Sequence, residues 1–260
     1  MKKTTALILA LLIILSLAAC GGKEKGPVQL NVFAAASMTE TLTEIELKYE
    51  AAHSGVDLVF TFDSSGTLKT QIEEGAPCDL FISAAPKQMN ALEELNMVNK
   101  DSRVDLLENK VALCVAEGNP AGIGSFDELA KALNDGTVLL AMGDADVPVG
   151  QYTQKIFAYY SLDEKEIAAH LTYGSNVKAV TTALVEKTAD CGIIYATDAF
   201  SAGLTPVDTA TAEMCGQVIY PAAVMSGAEH PNEAQTFLDY MKGAEASAVF
   251  EGVGFTPLNG

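Results

Sequence analysis

Two serines close apolar runs just before the chain turns helical. They sit in Phe33-Ala34-Ala35-Ala36-Ser37-Met38-Thr39-Glu40 and in Phe62-Asp63-Ser64-Ser65-Gly66-Thr67-Leu68. A serine at a helix start presents a hydroxyl together with backbone N–H groups that no preceding turn can satisfy, and two such ends facing one another cradle an anion. Ser37 and Glu40 also match the S-x-x-E capping box, so a purely local cap remains open for Ser37. The Ser64–Thr67 turn likewise reads either as an ordinary polar turn or as a place of close backbone approach, which Gly66 permits. Two further helix starts share this form. Val147-Pro148-Val149-Gly150 leaves the N–H of Val149 or Gly150 unpaired, and Asn176 is a good N-cap ahead of Val177. Tyr195 ends the apolar run 192–195, either as a half-buried sheet-end residue or as a phenolic donor.

The elements that must position these residues alternate regularly. Strand-length apolar runs fall at 28–34, 56–62, 79–83, 111–117, 138–142, 191–196 and 217–224. Helical patterns fall between and after them, at 37–52, 65–73, 86–96, 125–133, 150–160, 164–170, 177–187, 231–242 and 244–250. This order predicts an α/β protein with mostly parallel sheets flanked by helices. Two units of roughly 100 to 130 residues suit the length better than one sheet, although alternation alone does not decide between them.

At the start, Lys2 and Lys3 precede an apolar run from Ala6 to Leu17 and then Leu17-Ala18-Ala19-Cys20, which resembles a bacterial lipobox. Residues 1–19 are expected to be a signal peptide, Cys20 the lipid attachment site, and 20–27 a polar linker. The mature chain would have 260 − 19 = 241 residues. It would be exported and tethered to the outer face of the membrane by that lipid alone. Without Lys2 and Lys3 it carries 14 basic against 34 acidic residues, with Arg103 the only arginine. Nucleic acid is excluded as a partner on that charge, and an anion site must be built from local dipoles rather than a basic field. Cys78, Cys114, Cys191 and Cys215 lie in apolar contexts without zinc-ligand spacing, and they read as buried free thiols rather than a metal site or disulfides.

The phrases Val32–Ser37, Phe62–Leu68, Gly75-Ala76-Pro77-Cys78-Asp79-Leu80-Phe81-Ile82-Ser83-Ala84, Gly143-Asp144 with Val147–Gly150, Gly192–Tyr195 and Gly252–Thr256 stand in one order over nearly the whole mature chain. Together they resemble the periplasmic molybdate-binding proteins of molybdate ABC transporters. The resemblance implies a type II periplasmic binding protein fold with two α/β lobes joined by two crossover strands, near 111–116 and 218–224. The first lobe would be discontinuous (28–112 and 220–260) and the second would be 113–219. It also implies an oxyanion ligand set: Ser37 and Ser65 through hydroxyl and N–H, Val149 and Val177 through N–H, and Tyr195 through its phenol. The ligand would be molybdate or tungstate, with no cofactor, no direct cation site and no catalysis, and the protein would be a monomer that docks on a permease.

Asp63 departs from the small neutral residue common in that family. Alternation along Thr61-Phe62-Asp63 turns its carboxylate outward, yet a carboxylate here keeps a phosphate or sulfate receptor as an alternative. A secreted serine hydrolase using Ser65 is a remote one, since G-x-S-x-G is missing and His53, His170 and His230 stand in no recognisable setting for a base. A structural or adhesive lipoprotein is a third.

Overall fold

A computed structural model describes residues 26–258, so the lipobox and Cys20 lie outside the described residues. β1 (Val28–Ala35) runs through a short 3-10 segment (Ala36–Met38) into α1 (Thr39–Ala52). Then come β2 (Val56–Asp63), α2 (Ser65–Glu73), β3 (Leu80–Ile82), α3 (Pro86–Glu94) and β4 (Val104–Asn109). A second group follows: β5 (Val111–Val115), α4 (Phe126–Asn134), β6 (Leu140–Gly143), α5 (Pro148–Tyr159), β7 (Leu171–Gly174), α6 (Val177–Val185), β8 (Cys191–Tyr195), α7 (Ala196–Ser201), β9 (Asp208–Thr209) and α8 (Ala212–Cys215). The chain ends through β10 (Val218–Val224), α9 (Pro231–Met241), α10 (Ala244–Gly252) and β11 (Thr256–Pro257).

These strands form two sheets, ordered β11-β4-β10-β3-β1-β2 and β7-β6-β8-β5-β9, one in each of two lobes. The chain passes from the first sheet to the second at Lys110 and returns between α8 and β10. Strands linked by helices pair in parallel, β1 with β2 and β3, and β6 with β7 and β8. That is the direction a helical crossover imposes. The strands flanking the two passages pair antiparallel, β10 with β3 and β4, and β5 with β8 and β9. They run antiparallel because there the chain enters from the other lobe.

A continuous apolar cluster runs through both lobes, and a smaller one under α2 and α3 contains Phe33, Leu68, Phe81, Met89 and Leu92. Cys78, Cys114, Cys191 and Cys215 are free and buried within this packing. Burial pushes the thiols of Cys78, Cys114 and Cys191 up to about 12, so they pack as small apolar groups. Among the described residues no helix is long and apolar enough to cross a membrane.

Three local expectations change. The stretch 164–170 is not a helix: only Ala168–His170 coils, as a 3-10 turn, before the four-residue edge strand β7. β4 was not anticipated either. Asp105 and Glu108 interrupt its apolar pattern, and its pairing with β10 and β11 supplies what local sequence lacks. Finally, α1 begins at Thr39 with Met38 as N-cap and no side-chain cap, so the capping box of Ser37 and Glu40 does not form.

Candidate anion-binding site

The C-terminal ends of β1, β2, β6, β7 and β8 all point to the cleft between the lobes, where open α/β sheets take their ligands. Each is followed by one of the residues picked out from the sequence, or in β8 ends on it: Ser37, Ser65, Val149, Val177 and Tyr195. All five line a single small cavity, together with Asp63, Ser64, Ala84 and Pro148 among others. The cavity draws on both lobes, and no lysine or arginine is among its lining residues.

Local chemistry leaves the first N–H groups of these helices free for it. In α2 the hydrogen bonds begin with Thr67 N–H to Ser64 Oγ at 3.1 Å, in α5 with Gln151 N–H to the Val147 carbonyl at 3.0 Å, and in α6 with Ala179 N–H to Asn176 Oδ1 at 3.0 Å. The N–H groups of Ser65, Val149 and Val177 come before those bonds, and all three residues line the cavity. Ser64, not Ser65, caps α2, which frees the Ser65 hydroxyl for other work.

Both serine hydroxyls are held from behind by donors. Ser65 Oγ accepts from Ala84 N–H at 3.0 Å, leaving its proton to be donated. Ser37 Oγ lies 2.9 Å from the Tyr220 hydroxyl, which accepts from Asn109 Nδ2 at 3.2 Å. Tyr220 can therefore donate to Ser37, and Ser37 can point its own proton into the cavity; the hydrogens are assigned from this network. Tyr220 and Asn109 carry no local signal of such a role. Asn109 ends β4 and Tyr220 lies in β10, on the two passages between lobes, and only the closed topology brings them to β1.

Tyr195 is 1 % exposed, and its hydroxyl has no hydrogen-bond partner among the described residues. Burial first, then the hydroxyls of Tyr220 and Tyr152 and the carboxylate of Asp198, raise its pKa well above the usual phenol value, so it stands as a neutral donor. A buried phenol without a partner costs stability, roughly 1–3 kcal/mol, unless something in the cavity accepts from it.

Asp63 does not turn outward as alternation suggests. Its Oδ1 accepts from Ser64 N–H at 2.7 Å and from Asn176 Nδ2, across the cleft, at 3.1 Å. As the last residue of β2 it stands at the cleft end of the strand, and its half-buried side chain lines the cavity there. Further along the cleft, Lys178 on α6 holds Glu40 on α1 at 2.7 Å and the fully buried Asp198 at 3.3 Å. Burial raises Asp198 to about 6, with Lys178 opposing the rise.

Comparison with known proteins identifies the family of a chain with this two-lobed fold. Residues 30–256 fit the family model of bacterial extracellular solute-binding proteins. The chain belongs to that family. Two relatives of this solute-binding protein are the molybdate-binding proteins ModA of Haemophilus influenzae and of Escherichia coli. The first is 35 % identical over 98 % of this chain and 99 % of its own length. The second is 36 % identical over 93 % and 94 %. In fold it is similar to the periplasmic molybdate-binding protein of Azotobacter vinelandii, with a TM-score of 0.75 at 22 % identity, covering 87 % of this chain and 98 % of that one. The family is one of solute binders rather than hydrolases, and none of the three histidines lines the cavity beside Ser65.

Proposed function

We propose that this protein is the receptor of an ABC importer for a tetrahedral dianion, molybdate and with it tungstate, which it delivers to the membrane permease as a monomer. The observation that carries the reading is the buried, partnerless hydroxyl of Tyr195 opening on the same cavity as four helix starts. A helix N-terminus carries roughly +0.5 charge, so four present about +2, the complement of a dianion, without a cationic side chain. Hydrogen bonds to a charged group contribute roughly 1.5–3 kcal/mol each, offset by desolvation and closure, which leaves room for micromolar or tighter binding. The names of the two relatives, similar over nearly their whole lengths, support molybdate as the anion.

In this reading the two lobes, 28–112 with 220–260 and 113–219, close over the anion about the two passages between the sheets. Cys20 carries the lipid that holds the exported protein at the membrane once residues 1–19 are removed. Isothermal titration of the protein against molybdate, tungstate, sulfate and phosphate tests the assignment. Tight binding of molybdate and tungstate is expected. Tight phosphate binding without a molybdate response would transfer the reading to hydrogen phosphate, whose proton the Asp63 carboxylate on the cavity wall would accept.

A further inference from the structure

We propose that Asp63 and Asn176 form a clasp across the cleft that positions the starts of α2 and α6 against the bound anion. The proposal rests on the oxyanion reading and adds to it a pair of positioning residues. Asp63 ends β2 in one lobe, and Asn176 precedes α6 in the other, 113 residues away. The Asn176 amide is engaged at both ends: Oδ1 accepts from Ala179 N–H at 3.0 Å, fixing the first turn of α6, while Nδ2 donates to Asp63 Oδ1 at 3.1 Å. That same carboxylate oxygen accepts from Ser64 N–H at 2.7 Å, at the foot of α2.

The two cavity-facing residues Ser65 and Val177 follow Asp63 by two positions and Asn176 by one. A single bond between the two side chains thus sets the distance between the helix starts, and no part of it passes through the ligand. Closing the cleft otherwise costs the freedom of one lobe relative to the other, and a bond already made across it leaves less of that cost to the anion.

The charge of Asp63 is not what the clasp uses. A carboxylate on the wall of an anion cavity repels a dianion, whereas the two hydrogen bonds it accepts need only an oxygen in its place. The carbonyl of an asparagine supplies one. Asp63→Asn therefore keeps the clasp and removes the repulsion, while Asp63→Ala removes both. Asn176→Ser keeps a capping oxygen for α6 but has no amide N–H to send across.

The test is titration and stopped-flow dissociation of molybdate from the purified protein and these variants. Asp63→Ala and Asn176→Ser are expected to weaken binding by about tenfold, mostly through faster dissociation. The double variant should be no weaker than either single one, the signature of a shared interaction. Asp63→Asn should bind as tightly as wild type or tighter, and the anion-free Asp63→Asn protein should melt no lower than wild type. Wild-type or tighter binding by Asp63→Ala overturns the clasp, as does equal weakening by Asp63→Ala and Asp63→Asn. A wild type that binds none of the four anions overturns the oxyanion reading instead, and the clasp's role with it.

Discussion

Of the residues with a buried side-chain atom that has no hydrogen-bond partner among the described residues, Tyr195 is the one that lines the cavity. Tyr49 and Tyr220 are as deeply buried, yet Tyr220 exchanges hydrogen bonds with Ser37 and Asn109. Tyr195→Phe should therefore leave the melting temperature of the anion-free protein unchanged or slightly raised, because it deletes an unsatisfied buried group. The same variant should bind molybdate about ten- to a hundredfold more weakly, as expected for a lost hydrogen bond to a charged acceptor. Titration and thermal melting side by side check both halves; equal losses in stability and in binding would mean that the hydroxyl serves the fold. At this scale the sequence was legible wherever backbone chemistry is local. Pro148 before Val149 and Asn176 before Val177 announce free N–H groups by type alone. Asp63 was misread because alternation says which face of the strand a residue takes, and not that the other lobe, through Asn176, covers that face.

Helix starts act here as elements, and their mutual approach is recorded in glycines. A Cβ on Gly66, in the first turn of α2, would run into the backbone carbonyl of Asp146 in the other lobe. A Cβ on Gly150, in α5, would run into the carbonyls of Gly143 and Asp144, within its own lobe. The two positions should answer differently to the same change. Gly66→Ala clashes only when the lobes are together, and alanine favours a helix over glycine by roughly 1 kcal/mol. Its anion-free melting temperature should hold or rise, while molybdate affinity falls at least tenfold and small-angle scattering shows no compaction at saturating anion. Gly150→Ala clashes whether or not the lobes move apart, so its melting temperature should drop without ligand. If the two variants behave alike, the lobes do not separate. The helix at 164–170 failed as an expectation for a related reason. Only its last three residues, Ala168–His170, coil, and Leu171–Gly174 directly after them pairs with β6 at the edge of the sheet, a contact outside the local pattern.

On the scale of the whole molecule, a chain with a formal net charge of −18 builds an anion site and buries a carboxylate near it. Asp198 has no exposed side-chain surface, makes an ion pair with Lys178 at 3.3 Å, and is raised to about 6 by burial. Its folded pKa lies above the value of 3.8 from which it is shifted, so between about pH 4 and pH 6 the folded protein holds a proton that the unfolded chain has released. This group therefore costs the fold nothing below that window and progressively more through it, up to about 3 kcal/mol above pH 6. The melting temperature of Asp198→Asn relative to wild type should rise between pH 4 and pH 6 and level off beyond it. A difference independent of pH would show that the carboxylate titrates normally.

The sequence by itself determined the α/β alternation, the four helix starts with their free N–H groups, and the need for a neutral site in an acidic chain. Each of these follows from interactions within a few residues of one another. The tertiary structure decided which of those starts meet: two passages of the chain between sheets bring the ends of β1 and β2 opposite those of β6, β7 and β8. It also decided what stands behind them, with Asn109 and Tyr220 setting the Ser37 hydroxyl and Asn176 reaching Asp63. Contacts between residues 111 and 183 positions apart leave no trace in local pattern, because nothing about either residue alone depends on the other until the chain has closed.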